Sequence, residues 1–206
     1  MFRPLRPLAA VLILTALVGC SPQESSTPTA TATTGLACGK DQLRTLTAGK
    51  LTFGTDEPVY PPWFVDNKPD NGQGFEGAVA LALATKLGYT KDQIVWVRVP
   101  FNNAIQPGPK TFDIDINEFS ITDERKQAVD FSAPYYDVTQ AVIALDNSKI
   151  AGARSLADLK GAKLGAQVGT TSLRAITESV KPTAQPQVYN NNDDAKKALQ
   201  NGQIDL

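Results

Sequence analysis

The side chains with which this sequence could perform chemistry are carboxylates, hydroxyls and guanidinium groups, because histidine is absent. The sequence therefore lacks the side chain that most often serves as a general base and as a transition-metal ligand. Its two cysteines cannot form a zinc site unaided or a disulfide scaffold. These absences argue against most classes of enzyme and favour a binding protein.

One group of oxygen-bearing side chains has part of the spacing of a calcium-binding loop. Four residues match positions 1, 3, 5 and 12 of such a loop: Asp113, Asp115, Asn117 and Glu124. Position 6 must be glycine for the sharp turn, and here it is Glu118. The alternating apolar residues of 112–116 predict a strand, which cannot curl around an ion. We therefore expect no metal site and no cofactor.

Two hydroxyl side chains stand at the start of a predicted helix. Thr170 and Thr171 directly follow Gly169. Free backbone amides and the helix dipole favour an anion at such a position. A plain threonine N-cap is the structural alternative, and it is compatible with anion binding.

The charge balance excludes one class of partner. Lys plus Arg number 20 against 21 for Asp plus Glu, which gives a net charge of −1. No basic surplus is present to neutralise a phosphate backbone, so we expect no nucleic-acid partner.

The N-terminus is typical of a secretion signal. Arg3 and Arg6 precede a mostly apolar run over 8–18, which is too short to span a bilayer permanently. The run ends in Leu17-Val18-Gly19-Cys20, which is similar to the bacterial lipobox. This similarity implies a signal peptide over 1–19 and a lipid anchor on Cys20. An ordinary cleaved signal with an incidental cysteine is the alternative.

A stalk rich in Ser, Thr and Pro follows the predicted anchor. Residues 21–34 contain no large apolar side chain, so we expect 20–43 to be the lipid-anchored cysteine and a flexible linker. Cys38 becomes an odd thiol if Cys20 carries lipid. Both a buried free thiol and a disulfide to a residue outside this chain remain open.

From residue 44 onward, predicted strands and helices alternate. Strand-like composition or alternation occurs at 51–55, 94–99, 112–116, 138–145, 163–168 and 187–189. Helical segments are predicted over 74–88, 170–179 and 193–200. In the first of these, the spacing of the apolar residues predicts one buried stripe formed by Phe75, Ala78, Val79, Ala82, Leu83 and Leu87. The order predicts an α/β protein with a largely parallel sheet covered by helices.

Short motifs follow one another from Leu51 to the end of the chain. They are Gly54-Thr-Asp56-Glu-Pro-Val-Tyr60-Pro-Pro-Trp63-Phe64, Gly74-Phe75-Glu76, Val99-Pro100-Phe101, Phe112-Asp113, Ser120-Ile-Thr122-Asp-Glu-Arg125, Val129-Asp-Phe131-Ser-Ala-Pro134-Tyr135-Tyr136, Ser155-Leu-Ala-Asp158-Leu-Lys160-Gly161, Gln167-Val-Gly169-Thr170-Thr171 and Ala198-Leu199-Gln200-Asn-Gly202-Gln-Ile-Asp205. In this order, the chain resembles the family 3 extracellular solute-binding proteins, the amino-acid receptors of ABC importers.

The resemblance implies a two-lobed, periplasmic-binding-protein-like (type II) fold. Two α/β lobes are joined by two extended crossover strands and close on a ligand held between them. We expect lobe 1 over 44–137, the hinge crossover and lobe 2 over 138–206, and the hinge itself at 136–141. Family members continue beyond Asp205 to complete the second lobe and return to the first. We therefore expect a fold that is incomplete at the C-terminus.

The resemblance also implies roles for individual residues. Arg125 occupies the position that binds the ligand's α-carboxylate, for which a planar, permanently charged fork is suited. Ser120 adds a hydroxyl from the preceding segment. Tyr60 and Phe101 match positions where rings flank the ligand, although burial in the core is the alternative for both. Asp56 is an acidic contact for an ammonium or a basic side chain.

Glu118 departs from the family pattern. Related receptors commonly carry a small or neutral polar residue there. A carboxylate facing the cleft would repel acidic ligands and favour a cationic or amide-bearing one. Side chains alternate along an extended segment, so we expect Glu118 and Ser120 to share a face. A side chain pointing into solvent is the alternative.

The sequence thus predicts a lipid-anchored, monomeric receptor on the extracytoplasmic face of a bacterial membrane. We expect it to bind a free polar amino acid, with amide or cationic ones favoured, and to present it to an ABC permease and its ATPase. An enzyme on the same fold, such as a cyclohexadienyl dehydratase, and a ligand-sensing domain are the alternatives, because fold does not settle function.

Overall fold

The computed structural model describes residues 39–206. The predicted signal peptide, Cys20, the Ser/Thr/Pro-rich stalk and Cys38 lie outside the described residues. Within 39–206, no helix has both the length and the apolar character that crossing a membrane requires.

Two small parallel sheets organise the chain. Strand β1 (Leu51–Thr55) lies between β2 (Ile94–Arg98) and β3 (Ile114–Asp115), and both pair with it in parallel. Every residue of β1 is buried, as expected for the central strand of a parallel sheet. Strands β4 (Gly165–Gln167) and β5 (Gln187–Tyr189) form the second parallel pair. The predicted α/β class with parallel sheets is confirmed.

The helices agree with the predicted segments and add one short element. They are α1 (Phe75–Lys86), α2 (Phe101–Ala104), α3 (Thr171–Ala175) and α4 (Asn192–Gln200). Helix α3 continues into a π-helical turn over Ile176–Val180, so the predicted helix over 170–179 is found with a change of pitch. Helix α2 follows Pro100 directly and was not predicted, because one turn is too short to show an apolar period. Short 3₁₀ turns lie at Lys40–Gln42, Pro69–Asn71, Lys91–Gln93, Arg125–Gln127 and Leu156–Leu159.

Each sheet has its own apolar core. The first core includes Phe53, Phe64, Ala80, Ala84 and Tyr89. Leu43, which the predicted linker includes, packs against it. The second core consists of Leu159, Ala162, Leu164, Ala166, Ile176 and Val180. The boundary between the lobes at residue 138 stays a prediction.

The buried face of α1 differs from the predicted stripe. Phe75 and Leu83 are exposed by 39% and 36%, and the residues buried on this helix are Glu76, Gly77, Ala80 and Ala84. The prediction of the stripe was wrong because α1 is apolar almost all round, so spacing alone cannot select one face. Small side chains select it instead, since they let the helix approach the sheet closely.

The predicted strand over 138–145 is absent. This segment has no regular structure, and Val138 and Ile143 are exposed by 60% and 73%. A β-branched segment becomes a strand only when a neighbour supplies a hydrogen-bonded ladder. No described strand pairs with it, although its composition favours extension. The hinge predicted at 136–141 lies in the same crossover and stays a prediction.

Backbone carbonyls of the preceding loop, and not a side chain, accept hydrogen bonds from the N–H groups at the start of α1. The backbone N–H of Phe75 donates to the carbonyl of Pro62 at 3.0 Å, and those of Glu76 and Gly77 donate to the carbonyl of Trp63 at 3.0 and 3.3 Å. Gly74 makes this approach possible with φ 86° and ψ 169°, a region that only glycine populates freely. The chain thereby brings Glu76 into the interior.

We expect Gly74→Ala to destabilise the fold by about 3 kcal/mol or more, because a Cβ at this position would stand 2.4 Å from the Trp63 carbonyl oxygen and would also strain the backbone. Gly49→Ala is the matched control, because Gly49 also has a positive φ but no atom within 4 Å of its added Cβ. Urea unfolding of both variants gives the comparison. Equal losses of stability in the two variants would show that a Cβ at residue 74 does not collide with the Trp63 carbonyl oxygen.

Candidate functional site

Arg125 connects the segment after β3 to the loop after β4. Its Nη1 donates to the carbonyl of Ser120 at 2.7 Å, and its Nη2 donates to the carbonyl of Gly169 at 2.8 Å. The residue is only 6% exposed. Two of the five N–H donors of the guanidinium are thus engaged by backbone carbonyls.

The surroundings of Arg125 are aromatic, and among residues 39–206 the nearby carboxylate of Glu124 acts on it without forming an ion pair. Phe101 and Phe119 stack with their centroids 4.1 Å apart, and both rings lie under the guanidinium at 5.5 and 5.4 Å. No carboxylate within residues 39–206 lies within 4.0 Å of it. Burial, followed by the nearby charge of Arg174, lowers the pKa of Arg125. The group keeps its charge in spite of this, as arginine does in proteins.

The hydroxyls of Ser120 and Thr171 meet beside this arginine. Their Oγ and Oγ1 atoms are 3.4 Å apart. Gln140, from the crossover, donates from Nε2 to Thr171 Oγ1 at 3.2 Å. The segment after β3 and the start of α3 therefore place two predicted site residues next to each other.

Thr170 caps the N-terminus of helix α3. Its hydroxyl donates to the carbonyl of Gln167 at 2.7 Å and accepts from the N–H of Leu173 at 3.1 Å. Thr170 is therefore the N-cap of α3, and its side chain is fully engaged in the protein. A direct contact between Thr170 and a ligand stays a prediction.

Asp56 and Tyr60 extend the site along the end of β1. Asp56 Oδ2 accepts from Nε2 of Gln167 at 3.5 Å, which is a further contact between the segment after β1 and strand β4. Burial raises the pKa of Asp56. The hydroxyl of Tyr60 is buried with no hydrogen-bond partner among the described residues. Burial, followed by the charge of Asp193, raises the pKa of Tyr60 to about 12.

Three carboxyl groups, Glu76, Asp115 and Glu118, form what we call the acidic cluster. Glu76 is 0% exposed, and its Oε1 accepts from the N–H of Glu118 at 2.8 Å and from the hydroxyl of Tyr135. The second oxygen of Glu76 and both oxygens of Asp115 are buried without a hydrogen-bond partner in 39–206. Burial, with a smaller contribution from Glu76, raises the pKa of Asp115 to about 7.

Glu118 adopts a backbone conformation that the sequence did not indicate. Its φ is 54°, in the left-handed region, so the segment is not extended there. The alternation that predicted a shared face for Glu118 and Ser120 therefore does not hold. Part of the side chain is exposed, while burial of the remainder and the neighbouring Glu76 raise the pKa of Glu118 to about 7. A ligand contact through Glu118 stays a prediction.

Sequence reasoning missed two members of this arrangement as functional residues. Glu76 was present in the Gly74-Phe75-Glu76 motif, but its burial depends on the loop that caps α1. Asp115 entered only as part of the rejected calcium pattern. Two carboxylates alternate with apolar residues over 112–116, and this was the available signal for an acid close to the core.

The segment after β3 thus carries Glu118, whose N–H donates to Glu76 in the acidic cluster, and further along it Ser120 and Arg125, which contact each other. The sheet topology and the site define a type II periplasmic-binding-protein fold. The chain belongs to the bacterial extracellular solute-binding proteins, family 3, whose family model matches residues 51–206.

Named relatives bind amino acids. The chain is 31% identical over 164 residues to the L-arginine-binding protein of Pseudomonas aeruginosa, a match that covers 75% of this chain and 61% of that relative. It is 32% identical over 206 residues to the glutamine-binding protein of Geobacillus stearothermophilus, covering 96% and 76%. The chain thus spans less than two thirds of the length of the arginine-binding relative.

A solved structure has the same fold over the same part of the chain. It is an ancestral amino-acid-binding protein that is described as a precursor of cyclohexadienyl dehydratase. The TM-score is 0.62 at 35% identity, and the match covers 76% of this chain and 68% of that one.

We expect Asp115→Asn to stabilise the protein increasingly as the pH rises. The pKa of Asp115 is higher in the folded chain than in the unfolded one, so ionisation favours unfolding between about pH 4 and pH 7. The free energy of unfolding of the variant minus that of the wild type should rise by up to about 1.4 kcal/mol per pH unit in this window and then level off. Urea unfolding between about pH 4 and pH 8 measures this difference.

Asp70→Asn, at an exposed carboxyl, is the control and should show no such rise. A difference between Asp115→Asn and wild type that stays constant with pH would show that Asp115 is ionised normally in the folded chain.

Proposed function

We propose that this chain is the extracytoplasmic substrate-binding receptor of an amino-acid ABC importer, which closes two lobes around a polar amino acid. Arg125 binds the ligand's α-carboxylate, with Ser120 and Thr171 beside it and Thr170 capping the helix that faces it. Cys20 carries a lipid that anchors the receptor at the membrane. The partners are the importer's permease and its ATPase, and the receptor acts as a monomer.

The observation that carries this proposal is the buried guanidinium of Arg125 without a carboxylate within 4.0 Å among the described residues. Removing an unpaired charge from water costs several kcal/mol. A ligand carboxylate offsets this cost, because its two oxygens match the planar fork of arginine. A small anion-bearing metabolite is therefore the expected ligand.

The position of Arg125 between the two halves links binding to closure. It contacts Ser120 on one side and Gly169 on the other, so a ligand on its free donors also touches both sides. A ligand that bridges both lobes stabilises the closed state by its difference in affinity for the two states. The crossover at 136–141 supplies the hinge, where a few residues absorb the motion.

The ligand's other groups face aromatic and acidic side chains. Tyr60 and Phe101 supply apolar surface to its side chain, and Asp56 takes a positively charged or amide-bearing group. Burial of Asp56 beside Gln167 makes an ionic contact there stronger than one in bulk water. The named ligands of the relatives, arginine and glutamine, have side chains of this kind.

An enzyme on the same fold is the second candidate. It is favoured by the carboxyl groups of Asp115 and Glu118, whose pKa values of about 7 suit general acid catalysis. The similarity to a precursor of a dehydratase supports the same candidate. Turnover of a cyclohexadienyl acid by the purified chain would establish it, and tight amino-acid binding without turnover would remove it.

We expect Arg125→Lys to weaken amino-acid binding by about 10- to 150-fold, because lysine keeps the charge but cannot form the paired hydrogen bonds to a carboxylate. Arg174→Lys is the control, since Arg174 is a neighbouring, half-exposed arginine. Isothermal titration calorimetry against L-glutamine and L-arginine measures both affinities.

The same amino acids with the α-carboxylate replaced by an amide should bind the wild type no better than they bind Arg125→Lys. Circular dichroism of each variant reports whether the fold is retained. Unchanged affinity in a folded Arg125→Lys variant would rule out Arg125 as the carboxylate-binding residue.

A further inference from the structure

We infer that the acidic cluster is a subsite for a positively charged ligand side chain, and that the arriving charge displaces protons held by its carboxyl groups. This inference rests on the proposed function, because Arg125 holds the ligand's α-carboxylate and thereby orients its side chain. It narrows the ligand from a polar amino acid to a basic one, and it couples binding to pH.

The acidic cluster contains buried carboxyl oxygens that accept no hydrogen bond from residues 39–206. Glu76 is 0% exposed and its Oε2 has no hydrogen-bond partner, although its Oε1 has two. Both oxygens of Asp115 are also buried and without a partner. Buried polar atoms are paired in the great majority of cases, so unpaired ones require an explanation. A ligand cation supplies the missing positive charge and N–H donors.

Glu118 gives the ligand access to this group. Glu118 is exposed, whereas Glu76 is fully buried and accepts the backbone N–H of Glu118 at 2.8 Å. The segment runs on from Glu118, whose N–H donates to Glu76, to Ser120, whose carbonyl accepts from Nη1 of Arg125 at 2.7 Å. We therefore expect the side chain of an amino acid whose carboxylate lies on Arg125 to extend along this segment to Glu118, with the buried acids Glu76 and Asp115 acting on it at low dielectric constant.

The charges around Glu118 are almost all negative. Glu76 faces it from α1, Asp115 lies behind on β3, and the hydroxyl of Tyr135 approaches from the crossover. Asp56, after β1, adds a further carboxylate close to Asp115. Two cations within 39–206 act on these acids, Lys110 on Asp115 and Arg98 on Asp56.

Carboxyl groups this close cannot all ionise, so they hold protons at neutral pH. The raised pKa values of Asp115 and Glu118, both about 7, agree with this arrangement. When the cationic ligand binds, a protonated carboxyl group loses its proton to the buffer, and the resulting carboxylate pairs with the cation. A neutral side chain requires no such release.

Linkage then fixes the direction of the pH dependence. Below about pH 7 a proton must leave before the cation binds, so affinity falls by up to tenfold per pH unit for each proton. Above about pH 7 the carboxylate is already ionised, and the affinity levels off. For one proton, the expected loss between pH 8 and pH 5.5 is about 30-fold.

L-Arginine and L-citrulline are the probes, because they have nearly the same shape and differ in the charge of the side chain. Calorimetry on the full chain should show arginine binding at least about tenfold tighter than citrulline at pH 8, and losing about 30-fold by pH 5.5. Citrulline binding should stay nearly constant. At pH 7, titrations in two buffers of different ionisation enthalpy should show about half a proton released per arginine.

Glu118→Gln keeps the size of the side chain and removes its titration. It should bring the ratio of the arginine affinity to the citrulline affinity close to one and flatten the pH dependence of arginine binding. Retained citrulline binding would show that the fold and the carboxylate contact at Arg125 are intact. Glu178→Gln, at an exposed carboxyl on the turn after α3, is the matched control and should behave as wild type. Asp115→Asn should reduce the proton release without abolishing the preference.

Three outcomes would overturn the inference. If citrulline binds as tightly as arginine at every pH, the acidic cluster is not a cationic subsite, while the proposed amino-acid receptor stands. If arginine is preferred but Glu118→Gln keeps both the preference and the proton release, the subsite lies elsewhere. If no amino acid binds the folded chain, the proposed function fails and this inference fails with it.

Discussion

The structure depends on one buried charge that has no ion-pair partner within 4.0 Å among residues 39–206. Arg125 is 6% exposed, two backbone carbonyls from different halves of the chain hold it, and a stacked pair of rings lies beneath it. The carbonyls supply partial negative charge, but not a full countercharge. Such a group favours an anion placed against the N–H donors that the two carbonyls leave free. The proposed capture of an α-carboxylate follows from this electrostatic requirement.

The topology explains why the opposite charge gathers nearby. The loop after β1 and the segment after β3 leave the same edge of one parallel sheet, and they carry Asp56 and Glu118. Helix α1 adds Glu76, because the backbone carbonyls of the loop before it cap its first turn and draw the carboxyl inward. The segments that follow the carboxyl ends of β1 and β3 therefore supply acids. Arg125 lies a few residues after Glu118 on the second of these segments. An amino acid with a positively charged side chain matches both requirements.

Sequence reasoning succeeded where one chemical signal dominated. The strand at 51–55 and the helix cap at Thr170 were readable because composition and neighbours agreed. It failed where tertiary context decided the outcome. Helix α1 is apolar on most faces, so only the sheet selects Ala80 and Ala84 for burial. The segment over 138–145 has the composition of a strand but no ladder partner, and the left-handed backbone at Glu118 leaves no trace in the residue type.

The most direct test of the central claim is a crystal structure of the chain with a bound amino acid. The account predicts a ligand carboxylate oxygen within about 3 Å of an unoccupied N–H donor of Arg125, with the Ser120 and Gly169 carbonyls still in place. A bound amino acid whose carboxylate lies away from Arg125, with the guanidinium contacting only those two carbonyls, would contradict it.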